Sequence, residues 1–208
     1  MPKAYFQMKL TLYYILPKKR MRIETFRSTL QQIPIEKARR IRRIRDPQSQ
    51  LQSLIGLKLV EYGLKQFGLR GFHLKKLCYQ HNKPYIRNSS AFSITHSQQC
   101  IACAISPHSA IGVDVEKIRN LSSSVINKYH LQSDDISPIT AWTQKEAVLK
   151  VDPSNNWSEV KNIVLNKGTA NFKQSRYYIN SFTLENNYAV SVASKQPNSK
   201  IKIKRVYF

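Results

Sequence analysis

From Ile111 to Asn120 the chain reads IGVDVEKIRN, an apolar alternation into which two carboxylates are set. Successive side chains of a β-strand point to opposite faces, so Ile111, Val113 and Val115 share one face while Gly112, Asp114 and Glu116 share the other. The stretch therefore reads as a strand that turns apolar groups to a core and presents a same-face acidic pair, with Gly112 leaving room beside it. Two hard oxygen donors on one face are a good half-site for Mg²⁺, which takes one or two carboxylates and completes its shell with water and substrate phosphate. The plainer alternative is an amphipathic strand with a solvated acidic edge.

Carboxylates are scarce in this chain. Its 208 residues hold 12 Asp and Glu against 34 Lys and Arg, a formal charge of +22. That length allows one sizeable core or two halves of about a hundred residues each. Apolar residues at 41% and charged residues at 22% are ordinary globular composition, so the excess charge decorates a surface and does not mark disorder. Nucleic acid, an anionic membrane, a phosphorylated small molecule and an acidic protein all suit such a field.

The opening, MPKAYFQMKLTLYYILPKKR, places Lys3 and Lys9 ahead of an apolar run from Leu10 to Leu16. The run is short, ends in Pro17 and a basic cluster, and has no small-residue cleavage site, so it reads as a first strand and not as a signal peptide. No longer apolar segment follows, and the three cysteines, an odd number, fit a reducing compartment. The expectation is a soluble cytoplasmic protein without a membrane partner.

Between Pro34 and Pro47, the segment IPIEKARRIRRIRDP carries Ile35, Ala38, Ile41 and Ile44 at helical spacing, with Lys37, Arg39, Arg40, Arg42, Arg43 and Arg45 on the polar faces. A second helix is expected over about Ser49 to Phe67, stopping near Gly68. Strands are expected near Phe72–Cys78, Phe92–Thr95, Cys100–Ile105 and Ile111–Val115. Ser137 and Pro138 form an N-cap and first helical residue for SPITAWTQKEAVLKV. Further strands are expected near Arg176–Thr183, Tyr188–Ala193 and Lys200–Val206. The order gives an α+β fold, read as two similar halves over residues 1–106 and 107–208 with a hinge near Ser106 to Ala110.

On a helix, Trp142, Glu146 and Lys150 follow one another at four-residue spacing, which makes Glu146 and Lys150 either a supporting surface pair or part of a site. In NKPYIRNSSAFSITHSQQ, Lys83, Thr95, His96 and Ser97 offer donors to phosphate oxygens, although a lone histidine beside a strand is more often structural. CIAC at Cys100–Cys103 has no second cysteine pair, and positions three apart on a strand face opposite ways, so it carries no metal or redox reading.

Together and in this order, KPYI, FSITHS, IGVDVE and WTQKEAVLK resemble the signature blocks of 4′-phosphopantetheinyl transferases of the Sfp type, from about Pro34 to Lys150. The resemblance implies two similar α/β halves packed as an intramolecular pseudo-dimer with coenzyme A in the cleft, hence a monomer. It implies Mg²⁺-dependent transfer of phosphopantetheine from coenzyme A to a serine of an acyl or peptidyl carrier protein, releasing adenosine 3′,5′-bisphosphate. On this chain the family's metal positions fall on Asp114, Glu116 and Glu146, with Mn²⁺ as an alternative ion. Its coenzyme A positions fall on Lys37, Arg40, Lys83, Thr95, His96 and Lys150, and Glu146 and Lys150 become the catalytic pair. Glu146, or a water on the metal beside it, takes the serine proton, and Lys150 offsets charge on the leaving oxygen.

The chain departs from the family in three places, one being the segment from Lys117 to Ala141, which is shorter than in many larger relatives. Gln52 stands where relatives commonly carry an arginine, with Arg42 or Arg43 as substitutes, and VDPSNNWSEV replaces a glycine-containing loop after Lys150. The competing reading is a basic nucleic-acid-binding protein without catalytic activity, which rests on the net charge and on EKARRIRRIR and leaves the acidic positions unexplained.

Overall fold

The computed structural model describes residues 9–17, 23–69, 74–81, 83–87, 89–107, 109–197 and 200–207, together with the backbone but not the side chains of 23–25. The expected strand residues Phe72 and His73 lie outside these. Mixed helix and sheet appear in the expected α+β order. Strand β1 (Thr11–Ile15) is followed by helices α1 (Ile23–Gln31), α2 (Ile35–Arg42) and α3 (Pro47–Gln66). A short hairpin, β2 (Cys78–Gln80) and β3 (Lys83–Tyr85), leads into β4 (Ala91–Ser97), β5 (Cys100–Ser106) and β6 (Ile111–Lys117). Helices α4 (Ser123–Tyr129) and α5 (Pro138–Val151) precede β7 (Val164–Asn166), β8 (Thr169–Phe172), β9 (Ser175–Leu184), β10 (Tyr188–Ser194) and β11 (Lys202–Arg205).

Besides the two-stranded β2-β3 hairpin, two larger sheets are built from these strands, one in the order β11-β1-β5-β4 and the other β6-β10-β9-β8-β7. Alternation explains how they stack. In β1 and β5, Tyr13, Ile15, Ile101, Cys103 and Ile105 turn to α3, while Leu12, Tyr14, Cys100, Ala102 and Ala104 turn to the second sheet. There they meet Ile111, Val113 and Val115 of β6 and Val190 and Val192 of β10. On the far side of the second sheet α5 packs through Ala147, Val148 and Val151. The layers thus run α3, sheet, sheet, α5. The two cysteines of CIAC fall in different clusters, as strand parity requires, and neither forms a disulfide.

Caps define the two long helices. The Asp46 carboxylate accepts the N–H groups of Gln48 and Ser49, with Pro47 at the first helical position, so α3 begins before the expected Ser49. Ser137 caps α5 as its sequence predicts. Helix α2 ends at Arg42, short of the expected Pro47 boundary; Ala38 and Ile41 are buried, but Ile35 is 65% exposed and does not join the apolar face. The expected strand before Cys78 is instead a 3-10 turn, Leu74–Lys76, that buries Leu74. Helices α1 and α4 and the small strands β2, β3, β7 and β8 have no counterpart in the sequence reading.

The last strand does not stay with its neighbours in sequence. β11 crosses back to pair in parallel with β1, Thr11 opposite Lys202 and Tyr14 opposite Arg205. As an edge strand it carries Lys202 and Lys204, the kind of charged guard that keeps open edges from pairing with other chains.

Candidate active site

The two sheets meet at β4 and β6, and side chains replace a backbone ladder there. Ser93 Oγ accepts the N–H of Val113 at 3.2 Å, Thr95 Oγ1 that of Val115 at 3.3 Å and Ser97 Oγ that of Lys117 at 3.2 Å. The SxTxS alternation in FSITHS is what puts all three hydroxyls on one face. Two of them also reach the acidic pair: Thr95 donates to Asp114 Oδ1 at 2.9 Å and Ser97 to Glu116 Oε2 at 2.7 Å. Thr95 and Ser97, two of the donors that the sequence offers to phosphate oxygens, thus each hold one carboxylate of the acidic pair.

Helix α5 brings the third carboxylate. It is fixed to the second sheet by Thr143, whose hydroxyl lies 2.8 Å from that of Ser191, and by Gln144, which donates to Ser181 at 3.0 Å. It also comes unusually close at Gly112, where a Cβ would overlap the Ala147 carbonyl and lie 2.8 Å from the Val151 nitrogen and 2.9 Å from the Lys150 carbonyl carbon. Gly112 therefore does not leave room beside the carboxylates, as the strand pattern alone implies. Its missing side chain is filled by the helix backbone, and that contact sets Glu146 over β6.

Asp114, Glu116 and Glu146 come together so that one oxygen of each lies within 4.8 Å of the others. Asp114 is 2% exposed and Glu146 8%, which excludes a solvated acidic edge. Lys150 closes the group, 2.5 Å from Asp114 Oδ1 and 3.4 Å from Glu146 Oε2. Burial, followed by the charge of Asp114, pushes the Glu146 carboxyl up to about 8, with Lys150 working in the opposite direction. Burial also raises Glu116. For Lys150 burial favours the neutral amine, but Asp114 and Glu146 outweigh it and hold the ammonium above its ordinary range.

The donor set fits a hard divalent cation. Three carboxylates from two elements converge, and Asp114 Oδ2 is buried with no hydrogen-bond partner. A buried acceptor left open beside like charges is what a cation would satisfy.

Next to this cluster is a cavity of about 330 Å³. Its wall includes Lys37, Lys83, His96 and Lys150 with the apolar Leu57, Phe92, Ile94 and Trp157. Lys37 lies 5.5 Å over the Tyr79 ring, and burial followed by the Arg40 charge lowers its pKa. Arg40 itself is exposed on α2 and is not among the residues lining the cavity. His96 is lowered by desolvation and then by Lys150. Lys83, in the cavity wall, is also tied to the backbone. Its ammonium donates to the carbonyls of Ile111 at 3.2 Å, Val151 at 2.9 Å and Lys150, so all three of its protons are engaged at the end of α5. Desolvation lowers it to about 8.

Gln52 is buried and donates to the Gln98 carbonyl in the β4–β5 turn. Arg42 and Arg43 are exposed and do not line the cavity. A larger groove of about 520 Å³, with Lys9, Lys200, Lys202 and Lys204 in its wall, lies at the β11 edge of the first sheet, and no carboxylate is among its lining residues. Ser93, Ser97's bond to Glu116 and Trp157 escaped the sequence reading; the SxTxS alternation was the available signal for the first two. Among the described residues no helix is long and apolar enough to cross a membrane.

No family model matches the chain. Over 117 residues it is 26% identical to the 4′-phosphopantetheinyl transferase gsp of Aneurinibacillus migulanus, a match that takes in 56% of this chain and 46% of that protein. The chain is thus similar, over less than half of that relative's length, to a 4′-phosphopantetheinyl transferase.

Proposed function

We propose that the chain is a 4′-phosphopantetheinyl transferase of the Sfp type, moving phosphopantetheine from coenzyme A to a serine of an acyl or peptidyl carrier protein. The observation that carries this reading is the convergence of Asp114, Glu116 and Glu146 with Lys150 beside a basic cavity. The partial similarity to a protein of that name supports it. Asp114, Glu116 and Glu146 are the residues that hold Mg²⁺, or Mn²⁺ in its place. The ion supplies Lewis-acid neutralisation of diphosphate charge.

The chain's own residues do the rest. Lys37 and His96 on the cavity wall and Arg40 beyond it attract and orient the phosphates of coenzyme A. The carrier serine oxygen forms a bond to the phosphorus that bears pantetheine. The bond from that phosphorus to the bridging oxygen breaks, and its electron pair leaves with adenosine 3′,5′-bisphosphate. Glu146 receives the serine proton. Lys150, within reach of both Asp114 and Glu146, offsets charge on the departing oxygen.

In this reading residues 1–106 and 107–208 are the two halves of a pseudo-dimer within one monomer. The support is that each sheet carries one long helix, α3 or α5, on its outer side, with β11 exchanged back to the first sheet. The positive surface then steers an acidic carrier as well as coenzyme A.

The test is labelling of a panel of carrier proteins with fluorescent coenzyme A, with Mg²⁺ and with EDTA, beside a gel shift on duplex DNA. Mg²⁺-dependent labelling without a specific shift is expected. A specific shift with no labelling would overturn the proposal in favour of nucleic-acid binding.

A further inference from the structure

Strand β11 ends the first sheet, and among the described residues no strand pairs with its outer side. Its inner side is fixed to β1, where the Lys202 N–H donates to the Leu10 carbonyl at 2.9 Å and the Val206 N–H to the Tyr14 carbonyl at 2.8 Å. Backbone groups alternate in direction along a strand, so Lys204 also faces β1, while the N–H and C=O of Ile203 and Arg205 point outward. Side chains alternate too. Lys202 and Lys204 stand opposite Thr11 and Tyr13 of β1, and these four line the 520 Å³ groove together with Lys9 and Lys200. Ile203 falls on the other face and is 43% exposed. The Lys204 ammonium lies 5.9 Å over the Tyr13 ring, and the ion pairs among the described residues include none of Lys9, Lys200, Lys202 and Lys204. The edge thus offers unpaired backbone groups, a row of cations on one face and an exposed isoleucine on the other.

We propose that the β11 edge takes up, as an added strand, an extended segment of a partner protein in which acidic and apolar residues alternate. The main chain of such a segment bonds to the outward groups of Ile203 and Arg205. Its carboxylates then stand beside Lys202 and Lys204, at the same repeat of about 6.6–6.8 Å for every second residue, and its apolar side chains lie beside Ile203. A second copy of this edge is a poor occupant, because it sets lysine against lysine. Single-stranded nucleic acid would use neither the outward amides nor Ile203, and the aromatic residues of the groove, Tyr13 and Phe67, are both buried and offer no open face for base stacking. No residue lining this groove lines the cavity beside the carboxylate cluster, so an occupant here is independent of the transferase activity.

The probe is a fluorescein-labelled peptide of alternating Glu and Val, titrated with the full chain and read by fluorescence anisotropy. A peptide of the same composition with its glutamates consecutive, and an oligodeoxythymidylate, are run beside it. The alternating peptide is expected to bind about tenfold or more tightly than the block peptide, and Lys202→Glu combined with Lys204→Glu to weaken it about tenfold or more. Ile203→Pro removes only an outward-facing N–H, so it should keep the thermal midpoint and lose the peptide. The unaltered protein gives a second test of the ladder. Only alternate N–H groups of an added strand face the edge, so methylating the backbone nitrogens of all the glutamates, or of all the valines, must abolish binding in at least one of the two peptides. No binding of the alternating peptide, equal binding of the block peptide, or unchanged affinity in both methylated peptides would overturn the assignment. Equal or tighter binding of the oligodeoxythymidylate would overturn it in favour of a nucleic-acid groove.

Discussion

Thr95 and Asp114, 19 residues apart, are joined by a 2.9 Å hydrogen bond at the seam between the two sheets, and the same hydroxyl accepts the Val115 N–H at 3.3 Å. One side chain therefore both ties β6 to β4 and aims a carboxylate whose other oxygen is buried without a partner. Replacing Thr95 by Val should cost about 1–3 kcal/mol of stability through the unsatisfied groups it leaves. Under the proposed reading Asp114 holds the cation, and the partner that orients such a carboxylate matters to affinity, so Mn²⁺ binding measured by calorimetry should weaken about tenfold or more, with Thr95→Ser retaining it. Unchanged Mn²⁺ affinity in Thr95→Val would mean that Asp114 needs no orientation from β4.

Gly112 and α5 test the packing that delivers Glu146. A Cβ at this position meets backbone atoms of Ala147, Lys150 and Val151, which cannot rotate away. Gly112→Ala is expected to destabilise by about 3 kcal/mol, seen as a lower urea midpoint with an unchanged slope. A midpoint equal to that of the unaltered chain would show that α5 can shift outward without cost.

Glu146 should write a pH dependence into the stability of the metal-free protein. Folded, it ionises near about 8, against 4.5 for the ordinary carboxyl. Between those values the folded state holds the extra proton, so this contribution is complete below the ordinary value and is lost as pH rises through the folded one. The thermal midpoint of the unaltered chain should fall across that window relative to Glu146→Gln, and saturating Mg²⁺ should flatten the difference by favouring the ionised form. Parallel profiles for the two proteins without metal would refute it.

Lys83 spends its three protons on the carbonyls of Ile111, Lys150 and Val151. Lys83→Met removes those donors from the C-terminal end of α5 and should lower stability by about 1–3 kcal/mol. Hydrogen exchange at the last turn of α5 should accelerate with it. Normal protection there, combined with weakened coenzyme A binding, would assign Lys83 to phosphate binding and not to holding the end of α5.

Local rules made much of this legible. Strand parity in IGVDVE separated the core face from the acidic face, and Ser137–Pro138 marked the start of α5, because both are properties of a few consecutive residues. The four-residue spacing of Glu146 and Lys150 likewise anticipated an ion pair that the structure contains. The short elements β2, β3, β7 and β8 were not legible, since three or four residues carry too little periodic signal to stand out from loop.

By itself the sequence determined that Asp114 and Glu116 share a face and that Glu146 and Lys150 share another, since backbone geometry dictates side-chain direction within an element. Only the tertiary structure decided that those two faces meet. The meeting depends on a glycine with a helix backbone pressed against it, on three β4 hydroxyls bonded to the β6 backbone, and on a lysine turned from solvent to the end of α5. These are contacts between elements distant in the chain, selected by packing and by the need to satisfy buried polar groups, and no local pattern encodes them.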